Sequence, residues 1–298
     1  AGAAGAGAAG AGAVGAAGSG VAGSGVLAGV GAKVALGVAG AAVVAGAGGV
    51  AVNVTRDGTP PPRVRPVAAV VAVQNQTYAG IPMVVRDARY ARVTGLRDRR
   101  IEERVNRALR EPLDATIAWI LDGTRRLRGQ CTRPSRVGST VRTGTHGGGA
   151  LVSAVYRIDG DYCWQANGVL PSWSMTVDTR DGRKLTATEV FLPSTLTPDG
   201  IRVLWSRLTP TEPDVFADGG CLDGQLPKRS DFFPYRIAGE AGPWQQQPPV
   251  ATPFFGADRF ELNWSAGGSD CVYDRLVAPY GKVRDLLRPE IAALLPRA

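Results

Sequence analysis

The segment Thr145-His146-Gly147-Gly148-Gly149 is the stretch whose residue types come nearest to an enzyme motif. It matches the loop that supplies oxyanion-stabilising amides in some esterases. That fold also requires a Gly-x-Ser-x-Gly elbow and a catalytic histidine, but the sequence has no such elbow and His146 is its only histidine. We therefore predict that His146 is an exposed loop residue and that the chain is not an enzyme.

Two aspartates, Asp159 and Asp161, are the other candidates for catalysis. Paired carboxylates carry out glycoside hydrolysis. These two flank Gly160 in a predicted turn, where solvated aspartates are ordinary. Because no nucleophile, base and orienting group come together in the sequence, we predict no catalytic residue and no cofactor.

Four cysteines occur, at Cys131, Cys163, Cys221 and Cys271. Zinc sites usually contain ligand pairs two to four residues apart, and none of these cysteines is so placed, so we predict no metal site. An even number of separated cysteines predicts two disulfides outside the cytoplasm. Of the three possible connectivities we favour the sequential one, Cys131 with Cys163 and Cys221 with Cys271. The alternative is four buried thiols in a cytosolic domain.

A run of one charge sign gives the strongest binding signal. No acidic residue lies between Asp122 and Asp159. Guanidinium groups suit phosphates and carboxylates, which outside a cell belong to teichoic polymers, lipid headgroups and peptidoglycan. The alternative is a solvated basic loop without a ligand. The predicted ligand-binding residues are Arg125, Arg126, Arg128, Arg133, Arg136 and Arg142.

The N-terminal quarter indicates where these residues would work. Residues 1–33 are Ala/Gly-rich and predict a flexible, disordered linker. Residues 34–52 carry no charge and have the length that a helix needs to cross a hydrocarbon core of about 30 Å. We predict a single transmembrane helix there, a Pro-rich spacer over residues 53–66 and an extracellular domain over residues 67–298. The alternatives for residues 34–52 are a cleaved secretory signal or more linker.

The flanking charges and the cysteines predict opposite membrane orientations for the domain that follows residues 34–52. Lys33 precedes the apolar stretch and Arg56, Arg63 and Arg65 follow it, so the positive-inside rule favours a cytoplasmic domain. The cysteines favour the outside, which we adopt. The net charge of +8 then suits an anionic wall polymer, peptidoglycan or a protein ligand outside the cell. The same charge would also suit nucleic acid, but the external location excludes nucleic acid as a partner of this domain. The excess of arginine over lysine is typical of a GC-rich genome, such as that of an actinobacterium.

The elements that would position these residues mix strands and helices without βαβ alternation, which predicts an α+β fold. We expect an antiparallel sheet packed with two or three helices. One helix begins after Asp98, contains Pro112 as a kink or break, and stops near Gly123. Apolar residues at every fourth position form a stripe along this helix, and charged residues surround the stripe. The stripe consists of Ile101, Val105, Leu109, Leu113 and Ile117, and the charged residues are Glu102, Glu103, Arg104 and Arg107. A second helix begins at Thr197-Pro198. A third closes the chain over residues 283–294, while residues 209–259 read as mostly irregular.

Three segments resemble a known family. Residues 90–96, followed by a helix containing Asn106, together with residues 177–191 and 276–281, are similar to RsiV-type anti-sigma-factor ectodomains. That domain is shared with the accessory domain of PdaC-type peptidoglycan deacetylases. The resemblance implies binding or sensing at the cell envelope, with signalling to a sigma factor or another regulator through a region upstream of residue 1. The alternative is a structural or accessory peptidoglycan-associated domain. The family often has a Gly-Gly-Ala-His-Gly turn, which residues 161–168 lack.

Overall fold

Two β-sheets of unequal size organise the fold. The computed structural model describes residues 67–163, 168–169, 173–211, 225–236, 246–264 and 274–297. The larger sheet consists of β1 (Ala68–Thr77), β2 (Met83–Thr94), β3 (Ser135–His146), β4 (Leu151–Asp161), β5 (Gly168–Val169), β6 (Trp173–Asp178) and β7 (Arg183–Lys184). Its strand order is β1-β2-β3-β4-β6-β7, and β5 pairs with β4.

Helix α1 (Arg99–Arg126) joins β2 to β3, which are parallel neighbours in the sheet. The Asp98 side chain accepts hydrogen bonds from the first turn, which confirms the predicted start. The helix runs on through Pro112 and past Gly123, so the predicted break and stop are wrong. Pro112 costs the helix a backbone hydrogen bond, but the residue is buried against the sheet, and packing of the whole stripe keeps the helix intact.

The smaller sheet comes from the C-terminal half of the chain. It has the order β11-β12-β13-β8, and a separate two-stranded ladder joins β9 to β10. These strands are β8 (Thr209–Pro210), β9 (Tyr235–Arg236), β10 (Gln246–Gln247), β11 (Ala251–Phe255), β12 (Arg259–Trp264) and β13 (Asp274–Pro279). The expectation of mostly irregular structure over residues 209–259 therefore missed β11.

Four short helices accompany the smaller sheet: α2 (Ala187–Val190), α3 (Pro198–Arg207), α4 (Tyr280–Val283) and α5 (Pro289–Ala292). Thr197 caps α3 as predicted, with Pro198 in its first turn. The single C-terminal helix over residues 283–294 is wrong. Leu287 is extended and forms a β-bridge with Phe191, and Pro289 starts a new helix, so the segment splits in two.

Strand β4 separates two hydrophobic cores. Val152, Ala154 and Tyr156 belong to the core beneath α1, whereas Leu151 belongs to the core of the smaller sheet and its helices. Successive side chains of a strand point to opposite faces, so one strand serves each core in turn. The α+β class is confirmed, but the expected antiparallel sheet is replaced, in the described residues, by two main sheets and a separate two-stranded ladder. The larger sheet contains a parallel pair.

Several predictions fall outside the described residues. They concern the linker 1–33, the transmembrane helix 34–52, the spacer 53–66, Cys221 and Cys271. Within the part of the chain that the structure describes, no helix is both long and apolar enough to cross a membrane.

Candidate functional site

A disulfide between Cys131 and Cys163 fixes the connection from α1 to β3. The two Cα atoms are 4.8 Å apart, and the bridge ties the loop after α1 to the end of β4. Beside it, the hydroxyl oxygens of Thr124 and Ser135 lie 2.9 Å apart, and Ser135 Oγ accepts a hydrogen bond of 3.1 Å from the Cys163 amide. The first predicted disulfide is confirmed, and together with these contacts it forms a junction between α1, β3 and the end of β4.

Five of the six predicted arginines surround this junction, and we call them the basic end: Arg125, Arg126, Arg128, Arg133 and Arg136. All five are exposed. Arg126 pairs with Asp122 at 2.6 Å, and Arg133 pairs with Asp161 at 2.7 Å. Among the described residues no carboxylate lies within ion-pair distance of the other three. Three guanidinium groups of the basic end therefore form no ion pair with any described carboxylate.

Arg142 lies apart from the basic end. It is six residues beyond Arg136 on β3, which corresponds to roughly 20 Å along the strand. Its guanidinium donates to both carboxylate oxygens of Glu261 on β12, at 2.7 and 2.6 Å, and stacks 4.9 Å from the ring centre of Phe254. Arg275 on β13 contacts the same carboxylate at 3.0 Å. Arg142 therefore joins the two sheets and is already engaged within the fold.

The Glu261 carboxylate is almost fully buried, with 3% of its side chain exposed. Burial acts to raise its pKa, but the hydrogen bonds from Arg142 and Arg275 outweigh this, so the pKa lies below its usual range. The carboxylate thus stays ionised between two guanidinium groups.

His146 is buried, which contradicts its prediction as an exposed loop residue. Strand β3 extends to His146, so the ring faces the smaller sheet. Its Nε2 atom lies 3.3 Å from the Phe255 carbonyl oxygen and 3.2 Å from the Tyr280 hydroxyl. Burial lowers the pKa of His146 and outweighs the opposing effect of its backbone hydrogen bonds. The esterase-like segment is therefore the end of a strand and the turn that follows it.

The aspartate pair also sits differently from its prediction. Asp159 and Asp161 belong to β4 rather than to a turn, in register with Gly138 and Arg136 of β3. Asp159 lies 3.7 Å from an Arg157 guanidinium nitrogen, and Asp161 pairs with Arg133. In the structure these carboxylates balance neighbouring arginines.

A cleft of about 700 Å³ between α1 and β2 was not anticipated from the sequence. Asn106 lines the cleft, accepting a hydrogen bond of 2.6 Å from the Val93 amide and donating one of 3.0 Å to the Val93 carbonyl. Arg110 stacks 4.8 Å from the Tyr90 ring centre. In the sequence, the face of α1 that lines this cleft is recognisable only as a charged face. Asn106 is a neutral residue among charged ones there, and it was the one sequence feature that could have indicated a contact with β2.

Comparisons with known proteins give one distant structural similarity to report. No family model matches the chain, and no curated protein matches it. Among solved structures, it is similar to the crystal structure of a DUF3298 family member from Bacteroides fragilis. The two are 10% identical, the match covers 76% of this chain and 96% of that one, and the TM-score is 0.46. The RsiV-type resemblance in the sequence therefore stays a hypothesis.

Proposed function

We propose that residues 67–298 form a non-catalytic binding domain outside a bacterial cell membrane, and that it engages an anionic polymer of the envelope through the basic end. The observation that carries the proposal is the group Arg125, Arg128 and Arg136, exposed and without a described carboxylate partner. The Cys131–Cys163 disulfide supports the external location, because such bonds persist in oxidising compartments.

The junction beneath these arginines favours binding by a preformed surface. Thr124 and Ser135 touch through their hydroxyl groups, and Arg125 and Arg136 are their immediate chain neighbours. Consecutive Cα atoms are about 3.8 Å apart, so the contact brings the two arginine backbones close together. The disulfide holds the same loop, which limits the ordering cost of binding. A repeating phosphate or carboxylate polymer matches several guanidinium groups displayed on one surface.

A signalling role is the second part of the proposal. It rests on the RsiV-type resemblance and on the predicted membrane helix over residues 34–52. In this scheme a bound polymer changes how the domain is held at the membrane, and a sigma factor or another regulator in the cytoplasm responds. An accessory domain that only docks onto peptidoglycan would bind through the same arginines without this response.

The proposal is tested by a charge-matched pair of variants. Arg125→Gln/Arg128→Gln/Arg136→Gln removes three charges from the basic end. The control, Arg92→Gln/Arg100→Gln/Arg107→Gln, removes three exposed charges from β2 and α1 that also lack a described carboxylate partner. We expect the first variant to bind purified cell walls about tenfold more weakly, since exposed charge pairs contribute about 0.5 kcal/mol each.

Binding is measured by cosedimentation of the full chain with walls at low and high salt, with circular dichroism to verify folding. Wild-type binding should weaken as salt rises, because the screening length is about 8 Å at 0.15 M. Equal binding by wild type and the basic-end variant would sink the proposal. An equal loss in both variants would show that net charge alone attracts the domain.

A further inference from the structure

Strand β1 leaves one edge of the larger sheet open. In the described part of the chain it pairs with β2 alone, and no backbone hydrogen bond reaches its other edge. The strand has ten residues, none of them charged and none of them proline. Two of its valines are unusually exposed for apolar side chains, Val71 at 40% and Val73 at 54%. The edge is therefore long, uncharged and apolar at its centre.

Proteins normally protect such an edge with lysine, proline, a bulge or a covering loop. Here the described residues show one such device, a register shift between Gln74 and Gln76. At that point Asn75 Oδ1 accepts a hydrogen bond of 2.8 Å from the Asp87 amide. The shift protects only the end of the strand. The residues from Ala68 to Gln74 keep regular pairing with β2 and leave their other side as a template for another strand.

We propose that a second copy of this chain occupies this edge, with the two β1 strands antiparallel about a two-fold axis at Ala72. In this register Val71 lies directly opposite Val73 of the second copy, and Val73 lies opposite its Val71. Directly opposed residues on one face have Cβ atoms about 5 Å apart, so the exposed valines cover each other. The two larger sheets join into one continuous sheet.

Two antiparallel copies of β1 match each other, because Val71 of one copy pairs with Val73 of the other. This favours a second copy over a foreign peptide. The strand carries no charge that would select an acidic or basic partner, and it opposes no charge to itself. Two charges lie beside the strand on neighbouring elements: Arg110 of α1 donates a hydrogen bond of 2.7 Å to Gln74 Oε1, and Arg89 lies opposite Val73 in the β1–β2 ladder. The two Arg89 side chains of a dimer are separated by three strand spacings, about 14 Å, beyond the screening length of about 8 Å. A register centred on Val71 would instead place Val73 over the smaller Ala69.

The dimer should be weak and should respond to salt in a recognisable direction. A single strand-to-strand contact is small beside the roughly 1,200 to 2,000 Å² of stable interfaces. The net charge of +8 opposes self-association. Salt therefore strengthens this dimer, whereas it weakens binding of anionic polymer at the basic end, so the two proposals fail or succeed separately.

The test uses sedimentation velocity of the full chain in detergent over a range of protein concentrations. Val71→Lys/Val73→Lys places two like-charged pairs across the axis, and we expect the dimer dissociation constant to rise about tenfold or more. Val71→Glu/Val73→Lys places two opposite-charged pairs in the same positions, and the dimer should persist. Val203→Lys is the control, because Val203 on α3 is 41% exposed and lies outside β1.

A wild-type chain that stays monomeric at all concentrations overturns the proposal, as does a dimer that survives the double lysine variant. Loss of the dimer in the glutamate–lysine variant, with folding intact by circular dichroism, overturns the register. Hydrogen exchange of the wild type provides a test that needs no variant. Among residues 68–77, the amides that point away from β2 should exchange faster on dilution. Exchange of these amides that is independent of concentration contradicts the proposal.

Discussion

Arg125 and Arg142 come from the same acid-free stretch of sequence, yet the fold gives them opposite surroundings. Arg125 lies on the basic end, exposed and without a described carboxylate partner. Arg142 is held by both oxygens of Glu261, which is 119 residues away in the sequence. A run of one charge sign in the sequence therefore does not distinguish an exposed, unpaired arginine from one that is ion-paired within the fold. Whether an arginine is ion-paired depends on which distant residues the fold brings next to it.

The largest expected effect comes from removing the bridge that holds the basic end. Cys131→Ser/Cys163→Ser should lower the free energy of unfolding by about 3 kcal/mol, because the disulfide closes a loop over a sequence separation of 32 residues. Urea unfolding of the full chain measures the loss. Differential alkylation of protein taken from cells should find neither thiol reactive in the wild type. Two alkylatable thiols at these positions would remove the support for an external location.

The second prediction concerns the ion pair between Arg142 and Glu261. Glu261→Gln should destabilise the chain by about 2 kcal/mol, since it removes the charge between Arg142 and Arg275 at a buried site. We place this below the usual cost of breaking a buried pair because both guanidinium groups are partly exposed and can be rehydrated. Glu103→Gln, which disrupts an exposed pair with Arg99, is the control and should cost under about 0.5 kcal/mol.

Urea unfolding compares these two variants with wild type. If Glu261→Gln lowers the free energy of unfolding as little as Glu103→Gln does, the ion pair between Arg142 and Glu261 does not stabilise the fold. Arg142 would then resemble Arg125, an arginine without a stabilising carboxylate partner.

The third prediction concerns His146, the last residue of β3. The folded-state pKa of His146 lies below its ordinary value of 6.5, so the unfolded chain binds more protons near that pH. The stabilising contribution of neutral His146 is complete above about pH 6.5 and is lost as pH falls from there through the lower folded-state pKa. Stability should therefore decrease between pH 7.5 and pH 5.5.

Because His146 is the only histidine, a His146→Gln variant should lose most of this dependence. Carboxylates titrate mainly at lower pH, near about 4. Urea unfolding of both proteins at three pH values provides the measurement. The same slope in the variant as in wild type would mean that another group is responsible.

The sequence predicted features that depend on neighbouring residues. Asp98 caps α1, Thr197 and Pro198 start α3, and the apolar stripe of α1 faces the sheet, because each depends on contacts within a turn or two. The pairing of Cys131 with Cys163 was also predicted, from its closure of a local loop.

Features that depend on distant partners were missed. Glu261 reaches Arg142 only because β12 packs near β3 through the smaller sheet, and the same packing buries His146 beneath Phe255 and Tyr280. The apolar spacing over residues 283–294 fits a helix, but Leu287 pairs with Phe191 instead. In these cases tertiary contacts override the local pattern.

Arginine footprinting on cell walls shows directly whether the arginines of the basic end contact the wall. An arginine-specific dicarbonyl reagent is applied to the full chain, free and wall-bound, and modified sites are mapped by mass spectrometry. We expect Arg125, Arg128 and Arg136 to react in the free protein and to be protected on walls. Arg92 should react in each state, and Arg142 should react slowly in each, because Glu261 already holds its guanidinium. Unprotected arginines at the basic end, or protection at Arg92 instead, would contradict the account.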